Sequence, residues 1–299
     1  MTTRAGGSRR PNIILVMADD LGYECLGSYG SQSYSTPNLD RLARQGMRFT
    51  NAHAQPLCTP TRVQLMTGKY NFRNWQAFGV MHPGERTFGH IMSASGYRTC
   101  ISGKWQLYSY NPPEYEPEWR GKGQHPRDAG FHEYFLWHAE HTEDKGSRYA
   151  DPKILDNGNY LQPPETSGQH GADLFAAYIN DFIYRNRDQP FFVYYPMALT
   201  HAPFQPTPHT RGWPDNRHDM DPKYFRDMVE YHDEVIGRIV RQIDELRLAE
   251  DTLFIYYSDN GSPREVWTRV NGHDMQGGKG VNADAGTHVP LIARWPGKI

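Results

Sequence analysis

The sequence predicts an α/β fold with a largely parallel sheet, on two observations. Apolar runs of strand length alternate along the chain with segments of helical period, and polar groups fall at the C-terminal end of one apolar run after another. An unbroken apolar run is how a strand buried on both faces reads, and ligands bind open α/β sheets at the carboxyl ends of the strands. With 299 residues, 37% of them hydrophobic, the chain can bury a sizeable core in one large domain or two small ones.

The first strand runs from Pro11 to Ala18 and ends in Asp19-Asp20. Thr36-Pro37 supplies an N-cap with proline at the first helical position, and Gly46 ends a short helix carrying Leu39, Leu42 and Ala43. Tyr97 to Ser102 is a second strand, followed by Gly103-Lys104-Trp105. Residues 109 to 170 are rich in Pro, Gly, His and aromatics with weak periodicity, and read as loops with short elements. A helix from Ala172 to Arg185 precedes a strand from Pro190 to Met197, which runs into Thr200-His201-Ala202-Pro203. Asp221 to Leu248 is the longest helix, with Met228, Val229, His232, Val235, Ile236, Ile239 and Ile243 at three- and four-residue steps. Thr252 to Tyr257 is a strand ending at Ser258-Asp259-Asn260-Gly261, and Val289 to Arg294 is the last.

Charge is nearly balanced, 32 basic against 34 acidic residues, so no global field points to nucleic acid or an anionic membrane surface. The first ten residues have no apolar stretch of the kind a secretory signal needs, and a cytosolic location is expected. Cys25, Cys58 and Cys100 make no disulfide framework.

Asp19, Asp20, Asp259 and Asn260 are oxygen donors from two strand ends. Three carboxylates and an amide suit a hard divalent cation, Ca²⁺ or Mg²⁺, better than zinc. Singly, each pair reads more readily as turn and capping residues, because such dipeptides are common. Cys58-Thr59-Pro60-Thr61-Arg62 is more specific. Cys58 lies just ahead of a short helix begun at Pro60 and ended by Gly68, where free N–H groups and the dipole favour negative charge. Arg62, one turn on, can point back at the same spot.

Leu57-Cys58-Thr59-Pro60-Thr61-Arg62 resembles the sulfatase signature, in which the cysteine is converted to formylglycine. Residues 11 to 22, Thr36-Pro37-Asn38-Leu39-Asp40, Gly68-Lys69-Tyr70, Gly103-Lys104-Trp105, Thr200-His201-Ala202-Pro203-Phe204, Ser258-Asp259-Asn260-Gly261 and Gly277-Gly278-Lys279-Gly280 are similar to further family landmarks, in order. The resemblance implies a three-layer α/β/α sandwich like that of the alkaline-phosphatase superfamily over residues 11 to 299, after a disordered segment 1–10. It implies a sulfatase acting on an aryl or carbohydrate sulfate ester. Asp19, Asp20, Asp259 and Asn260 would bind Ca²⁺, or Mg²⁺, with the modified Cys58 near it. Arg62 would support the formylglycine, Lys104, His201 and Lys279 would surround the sulfate, and His201 or Lys279 could protonate the leaving oxygen. Two hydroxyls on one hydrated aldehyde carbon allow attack by one and, through deprotonation of the other, expulsion of sulfate. A formylglycine-generating enzyme is the implied partner in maturation.

Two features depart from the family pattern. Gln106 stands two residues after Lys104, where the family usually has a histidine, and glutamine cannot take a proton at neutral pH. Family members usually continue into a smaller C-terminal subdomain, which is expected to be missing from a chain ending at Ile299. Asn260 favours a sulfate ester over the related phosphonate and phosphodiester hydrolases, which more often have histidine there; a catalytically silent sulfatase-like binding protein is the reading from a different class. Trp75, His82, Trp137, His138, His141 and Arg148 are possible cleft residues, with ring stacking on a sugar or aryl group set against ordinary loop packing.

Overall fold

The structure is a computed structural model that describes residues 10–109, 117–140 and 145–299. The N-terminal segment expected to be disordered thus lies, up to residue 9, outside the described residues, as does His141. Nine strands form one sheet: β1 (Asn12–Ala18), β2 (Met47–Phe49), β3 (Arg98–Lys104), β4 (Glu133–Trp137), β5 (Leu155–Asp156), β6 (Asn159–Tyr160), β7 (Phe191–Pro196), β8 (Thr252–Ser258) and β11 (Leu291–Arg294). A separate hairpin joins β9 (Trp267–Val270) to β10 (His273–Gln276).

The order in the sheet is β2-β11-β8-β1-β7-β3-β4-β5-β6. The five central strands are parallel, whereas β11, β2, β5 and β6 pair antiparallel at the two edges. The expected parallel sheet is therefore the centre of a mixed one. Only the strands covered on both faces are the unbroken apolar runs visible in the sequence.

Seven α-helices, with short 3₁₀ helices besides, lie among the described residues: α1 (Pro37–Gln45), α2 (Cys58–Thr67), α3 (Phe88–Ala94), α4 (Pro163–Thr166), α5 (Gly171–Asn186), α6 (Phe225–Glu245) and α7 (Asp284–Thr287). Alternate residues of β1 and β7 face opposite cores. Ile14, Val16, Val193 and Tyr195 pack with Leu42, Phe175, Ile179, Val235 and Ile239 from α1, α5 and α6. Met17, Phe192 and Tyr194 pack on the other side with Val63 and Met66 from α2 and with Phe88 and Met92 from α3. These are the three layers that the motif resemblance implied.

Local details differ from expectation. Thr36 precedes α1 as predicted, but its side chain makes no cap bond to the helix backbone. The first-turn N–H groups of Asn38 and Leu39 donate instead to the Asp233 carboxylate of α6, at 3.0 and 2.8 Å, so a residue about 195 positions away caps this helix. α2 starts at Cys58 itself rather than at Pro60. Strand β3 extends to Lys104, so Gly103-Lys104 closes the strand instead of following it. The region from 109 to 170 holds the five-residue strand β4, buried at Tyr134 to Trp137. Among the described residues no helix is long and apolar enough to cross a membrane.

The register places the site. Ala18 pairs with Ser258 in parallel β1 and β8, so the next residues, Asp19 and Asp259, leave the sheet side by side.

One buried group makes the core sensitive to acid. His232 on α6 is fully buried, with Nε2 3.3 Å from the Tyr256 hydroxyl. Burial drives its pKa down to about 3, against about 6.5 in an unfolded chain. Below pH 6.5 the unfolded chain takes up a proton that the native state refuses. This contribution to stability is full above pH 6.5 and lost progressively toward pH 3, at roughly 1 kcal/mol per pH unit. Urea unfolding from pH 7 to pH 4 is expected to show a loss of stability whose slope is smaller in His232→Phe by about that amount; an equal slope in both proteins would contradict the assignment.

Candidate active site

The site grows from the carboxyl ends of β1 and β8. Asp19, Asp20, Asp259 and Asn260 are all at most 1% exposed, and the backbone holds them in place. Asp259 N donates to Ala18 O at 3.2 Å, Asp19 N to Leu199 O at 2.9 Å, and Asp20 N to the Asp259 carboxylate at 3.0 Å. Asp20 adopts a left-handed conformation at φ 62°, one that acidic and amide residues enter more readily than bulkier ones. Asn260 Nδ2 donates to Asp20 Oδ1 at 2.8 Å.

Helix α2 is fastened to this cluster. The Thr61 hydroxyl donates to the Asp259 backbone oxygen at 2.6 Å. Arg62, 1% exposed, sends both Nε and Nη2 to Asp259 Oδ2, at 3.1 and 2.8 Å, and Nη2 lies 3.4 Å from Asp19 Oδ1. The arginine thus clamps the carboxylates rather than turning back on Cys58. Cys58 is the first residue of the helix, 2% exposed, with Sγ 3.7 Å from Gln106 Oε1.

Two lysines reach in from other elements. Lys104 ends β3, with Nζ 2.8 Å from Asp19 Oδ2. It follows Gly103 at φ 134°, where a Cβ would lie 2.1 Å from Pro196 O, so the bend that delivers Lys104 requires glycine. Lys279 Nζ bonds Asp20 Oδ2 from the loop after β10. His201 Nδ1 lies 2.6 Å from its neighbour's carbonyl, Ala202 O. A carbonyl only accepts, so Nδ1 carries the hydrogen and Nε2, 3.6 Å from Asp20 Oδ2, has the lone pair.

Burial and charge set the protonation states. Burial works against the Asp19 carboxylate, but Lys104, His201, Arg62 and Lys279 together outweigh it and hold the carboxyl well below the usual range. Asp259 goes the other way: burial and then the Asp19 charge push it up to about 7 despite Arg62. Burial also brings His201 down to about 4 and raises the Cys58 thiol.

The residues fit a hard cation. Asp19 Oδ1 and Asn260 Oδ1 are buried oxygens that accept no hydrogen bond, unusual unless something else satisfies them. Ligand atoms of Asp19, Asp20 and His201 lie within 4.8 Å of one another. Carboxylate and amide oxygens are the donors that Ca²⁺ and Mg²⁺ take.

Every residue proposed from the motifs thus converges on one sheet edge. The possible cleft residues divide. Trp137, His138 and Arg148 line a cavity of about 480 Å³ that meets the cluster at Lys104, Gln106 and His201. Trp75 and His82 are not among its lining residues. Trp137 offers no face for sugar stacking: it is 1% exposed and Arg148 lies over its ring at 4.1 Å. Lys145, Gln205 and His218 also line the cavity and were missed; they stand in irregular segments with no motif to mark them.

Comparison with known proteins agrees with this geometry. The sulfatase family model matches residues 11–299. Human arylsulfatase A is 31% identical over 98% of this chain and 60% of its own length. N-acetylgalactosamine-6-sulfatase from Canis lupus familiaris is 30% identical over 99% of this chain and 59% of its own length. The chain spans about three fifths of the length of these curated relatives. A solved structure described for the metabolism of multiple glycosaminoglycans by Bacteroides thetaiotaomicron superposes with TM-score 0.75 and 27% identity, covering 98% of this chain and 73% of that one. Ps i-CgsB in complex with k-i-k-neocarrahexaose superposes with TM-score 0.77 and 26% identity, covering 97% and 66%. With the α/β architecture, the ordered motifs and the family match in agreement, the chain belongs to the sulfatase family.

Proposed function

We propose that this chain hydrolyses a sulfate ester of a carbohydrate or aryl alcohol, with Cys58 converted to formylglycine by a formylglycine-generating enzyme. The observation that carries this reading is the placement of Cys58 at the head of α2, buried and within electrostatic reach of Lys104, Asp259, Asp19 and Lys279. As a plain thiol Cys58 is poorly suited to attack: burial, with Asp259 and Asp19 nearby, raises its pKa, and it is the thiolate that is nucleophilic. Formylglycine, once hydrated, supplies a hydroxyl nucleophile that needs no thiolate. The relatives whose names specify sulfated sugars, such as the N-acetylgalactosamine-6-sulfatases, support a carbohydrate ester.

Asp19, Asp20, Asp259 and Asn260 would hold Ca²⁺, or Mg²⁺. The ion, when bound, supplies charge that offsets repulsion between an anionic ester and its nucleophile. The chain's own residues do the rest. Arg62 neutralises Asp259 and fixes its orientation. Lys104 and Lys279 present ammonium groups to the sulfate oxygens, and Lys279, the cation of the two candidates, can protonate the leaving oxygen. Gln106 positions a hydroxyl at residue 58 but cannot accept its proton. His201, neutral with a free Nε2 lone pair, is the group suited to that task.

Three measurements test the reading. Calcium added to chelator-treated protein should raise Tm, by the equivalent of about 3 kcal/mol at a hundredfold excess over Kd, and Asp20→Asn should reduce the shift. No shift with Ca²⁺ or Mg²⁺, together with full activity after chelation, contradicts the metal assignment.

Cys58→Ala should abolish turnover, and Cys58→Ser should leave little, while wild-type activity should scale with the aldehyde fraction found by peptide mass spectrometry. Full activity from an unmodified thiol would refute the formylglycine assignment. Phosphate diester and phosphonate monoester substrates, assayed in parallel, separate the related hydrolase reading.

If proton removal limits sulfate release, pre-steady-state assays should show a burst of alcohol product. Gln106→His should then raise the steady-state rate several-fold with little change in the burst. An unchanged or lower rate would show that Gln106 is no deficit.

A further inference from the structure

Resting on the sulfate-ester reading above, we infer that the cavity beside the reaction centre holds a second anionic group of the substrate, a carboxylate or another sulfate, with Arg148 as its principal contact.

The cavity, about 480 Å³, is sized for a small-molecule ligand and is far larger than one sulfate group requires. Cys58 and Lys279 are not among its lining residues, whereas Lys104, Gln106 and His201 are. The group being cleaved therefore sits at the inner end, and the outer part is left for the remainder of the substrate. That outer part is cationic. Lys145 and Arg148 line it together with His138, and among the described residues no carboxylate does.

Of the three cations around Asp19, the two that line the cavity, Lys104 and Arg148, differ. Lys104 is neutralised by a direct contact at 2.8 Å. Arg148 faces the same carboxylate at 4.0 Å, beyond hydrogen-bond reach, and its Nη1 is buried with no hydrogen-bond partner. Only 9% of Arg148 is exposed, and its guanidinium lies over the Trp137 ring at 4.1 Å. The stack fixes the plane of the fork without satisfying its N–H groups, and an unsatisfied, mostly desolvated cation is costly. Lys145 is pressed toward its neutral form by burial and by the neighbouring charges of Arg148 and Lys104. A planar, pre-oriented guanidinium suits a carboxylate or sulfate oxygen pair.

The test measures binding by titration calorimetry to calcium-loaded Cys58→Ala protein, so that no turnover interferes. The probes are N-acetylgalactosamine 6-sulfate, the 4,6-disulfate of the same sugar, and the 6-sulfated sugar joined to a uronic acid. At least one doubly charged probe is expected to bind tenfold or more tighter than the monosulfate, and comparing the two shows whether sulfate or carboxylate is the second group. Arg148→Ala should lose at least tenfold more affinity for the preferred probe than for the monosulfate. Arg148→Lys, which keeps the charge but not the fork, should fall between them and guards against a folding defect in the alanine variant. Equal affinity for all three probes, or an equal loss on all three in both variants, overturns the inference. The sulfatase reading fails separately: converted wild-type protein would then hydrolyse none of the three esters, whatever their order of binding.

Discussion

Three carboxylates buried at the ends of two adjacent parallel strands are the constraint on which the rest of the site depends. Ala18 pairs with Ser258, so the sheet itself sets Asp19 beside Asp259 and leaves no room to separate them. At low dielectric such charges repel strongly. The fold must answer with cations from elements that the chain brings back to the same edge. Arg62 comes from α2, Lys104 from the end of β3 and Lys279 from the loop after β10. The placement of Cys58 is a consequence, because it heads the helix that Arg62 and Thr61 fasten to Asp259. Stability and site geometry are therefore tied: loosening the carboxylate clamp would shift Cys58, the residue proposed to carry the nucleophile.

The parts of this arrangement legible in the sequence share a physical cause. Strands covered on both faces must be apolar throughout, so β1, β7 and β8 stand out as runs, and their polar ends mark the functional edge. The Cys58 to Arg62 spacing is one helical turn and can be read without knowing what lies opposite. What could not be read depends on distant partners. Nothing near Thr36 reveals that Asp233 caps α1, and nothing near Arg62 shows that it grips Asp259 instead of facing Cys58. Strand β4 was hidden because Glu133 to Trp137 sits in a long irregular region, where a five-residue run carries too little periodicity to be separated from loop. Arg148 was visible only as one of several scattered candidates, and Lys145 and His218 not at all, since their segments have no repeating pattern.

Gln106 shows how a departure from a family pattern can be weighed against geometry. Its backbone is left-handed at φ 58°, as is that of His138 at φ 56°, and Gln106 N donates to His138 O at 3.0 Å. The turns at the ends of β3 and β4 are thus locked together, and the Gln106 amide is held against Cys58 Sγ. A glutamine so placed can orient a group at position 58 as firmly as an imidazole would. The difference is confined to proton transfer, which makes the histidine substitution at this position a sharper probe of the chemistry than of the structure.

Charge balance connects the reaction centre to the cavity. Asp19, Asp20 and Asp259 are matched in formal charge by Arg62, Lys104 and Lys279, each in contact with at least one of the three. A divalent ion bound to the same carboxylates would leave the centre with excess positive charge before Arg148 and Lys145 are counted. A sulfate monoester brings only one negative charge. The excess draws anions in and strengthens their hold on the leaving sulfate, so a site this cationic would also retain its product. A substrate whose second anion engages Arg148 places part of that attraction on the portion that departs as the alcohol. Part of the binding energy then comes from a group that leaves with the alcohol and not with the cleaved sulfate.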